Sequence, residues 1–207
     1  MIFSSSLLEK AVNELAKLPG IGKKTALRLA LHLLKQPENE VSHFCESIEN
    51  MRKEIKFCSR CYNISDKHVC NICDNVSRKQ DVICVVENIR DVMAIESTQH
   101  FNGVFHVLGG IISPLDGVGP EQLNIEPLIQ RVQNNEITEI VFALNPNIQG
   151  DTTIYYIGRK LKEYPIKITT IARGISFGGE LEYADEMTLA KSITNRIPVE
   201  RYINPVA

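Results

Sequence analysis

Two cysteine pairs of identical spacing, Cys58-x2-Cys61 and Cys70-x2-Cys73, constrain this chain more than any other feature. Each pair can present two thiolates on one tight knuckle, and two knuckles close a tetrahedron around a soft dication. Four sulfurs leave no open coordination position. A metal held there, with Zn2+ the best fit at one ion per chain, is therefore structural rather than catalytic. A disulfide framework, reduced redox thiols and an iron–sulfur cluster are the competing readings of the same four residues. A loop this short cannot bury a core of its own, so metal binding and local folding are expected to be coupled. His68 lies inside the loop and, with four cysteines present, reads as a bystander, whereas Cys45 and Cys84 sit in apolar patterns and read as core thiols.

The rest of the chain divides around this cluster. At ~100–200 residues per domain, 207 residues allow one domain or two small ones. The formal net charge of −2 hides an asymmetry: residues 1–79 carry +4 and residues 80–207 carry −6. A mildly basic part joined to an acidic one suggests two modules with different partners. No apolar run approaches the ~18 residues of a membrane span, and the first eight residues lack a secretory pattern. A cytoplasmic, nucleoid-associated protein is the expectation.

Residues 5–16 show helical spacing through Leu8, Val12 and Leu15, and residues 25–35 resume it through Ala26, Leu29, Ala30 and Leu33. Between them, Leu18-Pro19-Gly20-Ile21-Gly22-Lys23-Lys24 stops one helix and permits a tight turn. Gly20 and Gly22 would leave backbone N–H groups free at the start of the second helix, where the helix dipole favours an anion. Lys23, Lys24 and Arg28 add positive charge there. Such contacts hold a phosphate backbone without reading base sequence. The pattern resembles a helix-hairpin-helix, with Leu18 and Ile21 as an apolar staple; the competing reading is an ordinary helix–helix turn with solvated lysines. A third helix is expected over 38–56, amphipathic through Val41, Phe44, Cys45 and Ile48.

From Asp81 the periodicity changes. Apolar runs at 81–87, 104–108, 137–144 and 166–171 alternate with helical stretches at 88–97, 125–133 and 151–163. Short apolar runs alternating with helices argue for a parallel sheet with right-handed crossovers. Gly109-Gly110 and Gly117-x-Gly119 lack the pattern of a phosphate-binding loop and read as turns. His100 and His106 have no acid or nucleophile near them in sequence and are assigned no chemistry. A helix is expected over 185–193, followed by a polar, Pro-containing end.

Taken in order, these modules resemble the RecR family of bacterial recombination mediators. The stretches that carry the resemblance are the Pro19-to-Lys24 hairpin, Val69-Cys70-Asn71-Ile72-Cys73, Ile83-Cys84-Val85-Val86-Glu87, Leu115-Asp116-Gly117-Val118-Gly119-Pro120, Ile171-Ala172-Arg173-Gly174 and Gly178-Gly179-Glu180-Leu181-Glu182. The resemblance implies a multi-module α+β and α/β chain. It would comprise a helix-hairpin-helix DNA-binding region (1–56), a four-cysteine zinc finger (57–74), a Toprim parallel α/β domain (80–175) and a C-terminal oligomerisation tail (176–207).

In catalytic Toprim relatives, a glutamate ending the first strand and an Asp-x-Asp after a later strand hold Mg2+. Clustered hard carboxylates suit that ion, which then stabilises charge at a phosphodiester. Here Glu87 stands at the first position and Asn145-Pro146-Asn147-Ile148-Gln149-Gly150-Asp151 at the second. Neutral amides at Asn145 and Asn147 remove most of the attraction for Mg2+, leaving Glu87 and Asp151. Glu87 reads equally as a solvated strand-end residue. Gln149 replaces a glutamate usual in the family, which puts in doubt a carboxylate-dependent contact with RecO there. The glycine turn at 178–180 resembles a Walker-B-like stretch, but no Walker A accompanies it.

The resemblance thus implies a non-enzymatic DNA-binding mediator of recombinational repair. It would act with RecO and, in many bacteria, RecF to load recombinase on gapped DNA, as a ring-like dimer or tetramer. The alternatives are a Toprim-type metal-dependent nuclease or primase-like enzyme and a protein–protein adaptor.

Overall fold

Apolar residues at alternate positions on consecutive strands, flanked by helices with one apolar stripe, assemble a sheet that is covered on both faces. A computed structural model describes residues 3–134, 136–175 and 178–198. The chain divides into two units, Met1–Ile55 and Lys56–Ala207.

The first unit contains α1 (Ser6–Leu15), α2 (Lys23–Leu33) and α3 (Glu38–Glu54). Helices α1 and α2 close on a small core of Val12, Ala26 and Ala30, with Leu8, Leu15, Ile21 and Leu27 packed around it. Small residues at the contact let the two backbones approach, and the turn between them is held by Ile21 N–H donating to the Leu18 carbonyl at 3.1 Å. Of the expected staple only Ile21 joins this core; Leu18 is exposed. The α3 expectation is corrected in the same way. The helix forms, but none of its residues is buried, and Phe44 and Ile48 remain about half exposed. Cys45 is exposed too, not a core thiol. Periodicity marks an apolar face but carries no information on what covers it.

The second unit opens with a two-residue hairpin, β1 (Lys56–Phe57) and β2 (Ile64–Ser65), and a one-turn helix α4 (Asn71–Asp74), all within the cysteine loop. There follow β3 (Lys79–Val86), α5 (Ile89–Ser97), β4 (Gly103–Val107), α6 (Ile125–Asn134), β5 (Glu139–Ala143), α7 (Ile148–Leu161), β6 (Lys167–Thr170) and α8 (Glu186–Thr194). The four long strands form one parallel sheet in the order β4-β3-β5-β6. Ile83, Val85, Val104, Ile140 and Phe142 join the core cluster that also contains Leu128 and Ile129 of α6 and Ile157 and Leu161 of α7. Cys84, Val86, Phe105, Val107 and Ala143 join a second cluster with Val92 of α5 and with Tyr62 and Ile72 of the cysteine loop. Cys84 is thus the expected core thiol, and burial pushes it up to about 12. The expected oligomerisation tail falls partly on residues 176, 177 and 199–207, outside the described residues.

His106, on β4, is fully buried, and its Nε2 lies 2.7 Å from the Asn124 carbonyl, to which it donates as the neutral ring. Burial pushes its pKa from 6.5 down to about 4; the Asn124 bond opposes the shift and the charge of Arg131 adds to it. The unfolded chain therefore takes up this proton at a higher pH than the folded one. The stabilisation is complete above pH 6.5 and is lost as pH falls toward 4. The amount is about 3 kcal/mol. Denaturant unfolding between pH 7 and pH 4 is expected to show this loss in the wild type, and His106→Asn is expected to lack that component of the slope.

Candidate functional site

Three arrangements carry the chemistry. The first is the cysteine loop. The four Sγ atoms of Cys58, Cys61, Cys70 and Cys73 lie within 4.8 Å of one another, and all four residues are buried. A tetrahedron with Zn–S arms of about 2.3 Å has edges of about 3.8 Å; the Cys61–Cys70 pair stands at 3.5 Å. The Cys70 N–H donates to Cys58 Sγ at 3.3 Å and the Cys73 N–H to Cys70 Sγ at 3.5 Å, the amide–sulfur bonds that stabilise metal thiolates. The hydrogen bond between Cys61 and Cys70 is the main reason one thiol is pushed far up and the other far down. The donor set fits a closed tetrahedral Zn2+ site. His68 is exposed and takes no part in the cluster.

Tyr62, directly after the second knuckle cysteine, has a left-handed backbone (φ 63°), which costs an L-residue about 1 kcal/mol. Its ring meets His106 edge-on at 5.5 Å, and this contact helps hold the knuckle against the sheet.

The second arrangement is the start of α2. Gly20 takes φ +78°, a conformation that glycine alone adopts without strain, and so turns the chain into the helix. Gly22 is the N-cap; no side chain caps α2 there, and its first turn contains no acid. A Cβ at Gly22 would meet nothing within 4 Å, so the space before the helix amides is open. Lys23, Lys24 and Arg28 are all exposed, and Lys24 and Arg28 are four residues apart on one helix face. An unneutralised positive helix end with cations beside it can hold a phosphate.

The third lies at the carboxyl ends of β3 and β5, where the strand order reverses and open α/β sheets place their ligands. Glu87 follows β3, and Asn145 and Asn147 lie between β5 and α7. Glu87 and Asn145 meet there, and the side chains of this segment are committed to partners within the protein. Asn145 Nδ2 donates to Glu87 Oε2 at 2.8 Å. Asn147 Oδ1 accepts from the Gly150 N–H at 2.7 Å, as the N-cap of α7. Gly150 is needed because a Cβ there would stand 2.1 Å from the Asn145 carbonyl. Asp151 pairs with Arg173 at 2.6 Å, and the Arg173 hydrogen bond holds its carboxyl below the usual carboxylate range. Gln149 is half-buried in the first turn of α7. Among the described residues, the four cysteines are the one group of three or more potential metal ligands.

Arg173 was legible in sequence only as part of a motif; nothing local pointed to Asp151. Arg131 was missed altogether, since a basic residue in the last turn of an amphipathic helix looks like any solvated cation. Its Nη1 donates to the Phe105 carbonyl at 2.7 Å and lies 3.5 Å from that of Arg60.

Fold and sites together define a multi-module Toprim protein with a helix-hairpin-helix and a structural four-cysteine zinc centre. Comparison with known families matches residues 8–52 to the RecR helix-hairpin-helix, 55–75 to the RecR four-cysteine zinc finger domain, 81–172 to the Toprim domain and 174–197 to the RecR C-terminal region. Recombination protein RecR of Flavobacterium johnsoniae is 58% identical over 201 residues, covering 97% of this chain and 98% of that protein. Its namesake from Bacteroides thetaiotaomicron is 57% identical over 194 residues, covering 94% and 95%. The chain belongs to the RecR family.

Proposed function

We propose that this protein is a non-enzymatic, DNA-binding mediator of recombinational repair that acts with RecO, and with RecF where the cell has one, to load recombinase on gapped DNA. The observation that carries the DNA-binding part is the bare, open amino end of α2 flanked by Lys23, Lys24 and Arg28. In this reading the amides at Gly22 and beyond grip a phosphate, and Lys24 and Arg28 hold its neighbours through charge alone. Retention then comes from a ring of two or four copies around the DNA, so few contacts per chain suffice.

Residues 1–56 would serve as the DNA-binding region, 57–74 as the brace, 80–175 as the Toprim platform and 176–207 as the surface joining copies. Zinc, held by Cys58, Cys61, Cys70 and Cys73, supplies the closure that a loop without a core cannot supply for itself. Glu87 and Asp151 are engaged by Asn145 and Arg173, which supports a platform rather than a nuclease.

Fluorescence anisotropy of the zinc-loaded protein on gapped duplex, across a salt series, tests this. Binding is expected to weaken steeply with salt and to be equal on unrelated sequences. No binding at low salt, either alone or with RecO, would favour an adaptor instead. Mg2+- or Mn2+-dependent strand cleavage that disappears in Glu87→Ala would establish the enzyme reading.

A further inference from the structure

Strand β4 is an edge of the parallel sheet, and an uncovered edge offers unpaired backbone groups to any other strand. Backbone groups along a strand point alternately to its two sides. The Leu108 N–H, just past the end of β4, turns inward to the Val86 carbonyl, so Phe105 and Val107 direct theirs outward. Three of the four outward N–H and C=O groups have partners, the Val107 carbonyl accepting from Asn124 Nδ2 at 3.0 Å. The Val107 N–H donates to the carbonyl of Cys61, itself a zinc ligand, at 2.8 Å. The Phe105 carbonyl accepts from Arg131 at 2.7 Å. The same guanidinium nitrogen lies 3.5 Å from the carbonyl of Arg60, the residue before Cys61. Arg60 in turn donates to the carbonyl of Cys73, another ligand, at 3.3 Å. Two guanidinium groups are thus laid along the backbones of the two knuckles, and both line one cleft with Cys73 and Asp74.

The charges favour this arrangement. Four thiolates around Zn2+ carry a formal charge of about −2. Burial lowers the pKa of the Arg131 guanidinium, and the nearby thiolates of Cys73, Cys61 and Cys58 oppose that shift. Arg60 and Arg131 bring one positive charge each, so the centre and its two guanidinium neighbours approach neutrality in a partly desolvated place, where an uncompensated dianion would be costly.

We infer that Arg131 is a positioning residue for the metal centre, through which zinc occupancy is linked to closure of the β4 edge. With the metal bound, the tetrathiolate holds the guanidinium and the guanidinium holds Phe105. With the metal lost, the Cys61 carbonyl leaves Val107, and the Val107 N–H is exposed at the edge beside the Asn124 contact that remains. The inference rests on the four cysteines holding zinc and is independent of whether the chain binds DNA.

The test uses the full zinc-loaded chain and two readouts: the rate of zinc release to a colorimetric chelator in excess, and hydrogen exchange at the Val107 amide. Arg131→Gln keeps a donor and removes the charge; Arg131→Lys keeps the charge. Outer-shell substitutions commonly weaken metal binding about 10–100-fold, so Arg131→Gln is expected to release zinc about tenfold faster and to expose the Val107 amide. Arg131→Lys is expected to restore most of the release rate. Wild-type release from Arg131→Gln, or equal acceleration in Gln and Lys, would overturn the inference. A wild-type chain that purifies without one zinc per chain would instead remove the metal assignment on which it rests.

Discussion

Replacing Cys61 by serine is expected to strip the metal and unfold residues 57–74, while the α1–α2 core and the large sheet core stay folded. The reason lies in what the loop buries. Its cluster consists of the four cysteines with only Val69 and Ile72 packed beside them, so the metal site is the core of this module. Structural Zn2+ supplies about 10–16 kcal/mol of binding free energy in small zinc modules, as much as a whole domain's net stability of about 5–15 kcal/mol. A serine hydroxyl does not replace a thiolate in that ligand set. The sheet keeps its larger cluster, from Ile83 through Leu161, which draws nothing from the loop. The second cluster loses its Tyr62 and Ile72 contacts, so partial loosening around Phe105 and Val107 is expected as well. Metal content and hydrogen exchange resolved by segment check both parts. Full zinc retention by Cys61→Ser would remove Cys61 from the ligand set.

The second large effect is expected at the hairpin. Lys24→Ala combined with Arg28→Ala removes two exposed cations from one face of α2 without touching the buried Ala26 and Ala30. If each holds a phosphate, every lost contact lowers the slope of log affinity against log salt by about 0.9 on duplex DNA and about 0.7 on single strands. At about 1 kcal/mol per contact, affinity falls about thirtyfold, equally on all sequences, since phosphate contacts do not read bases. Circular dichroism of the variant is expected to match the wild type. An unchanged slope would place the DNA contact elsewhere on the protein.

Much of this could be read from the chain. The helical and strand stretches at 5–16, 25–35 and 81–171 follow from the spacing of Val12, Ala26, Ala30 and the Val-Ile runs, and the elements end within about three residues of where periodicity places them. The cluster of cysteines and the bare helix start are local chemistry, set by residues a few positions apart. The fate of an apolar stripe is not local. Cys84 and Cys45 sit in similar patterns, yet one is sealed between a sheet and a helix and the other faces outward on a helix with no buried residue.

The degenerate Toprim site divides along the same line. Asparagine at 145 and 147 is a statement of sequence: two neutral amides where a magnesium site needs carboxylates. That Asn145 turns its amide onto Glu87, 58 positions away, and that Arg173 closes on Asp151, are matters of tertiary structure. So is the guanidinium of Arg131, reaching Phe105 across 26 positions and lying against Arg60 across 71. Sequence alone determined which chemistries the chain contains, because ligand spacing, helix caps and strand burial act over a few residues. Only the fold decided which charges meet, because Coulomb and hydrogen-bond energies depend on distance in space, and the sheet brings together residues that the chain keeps far apart.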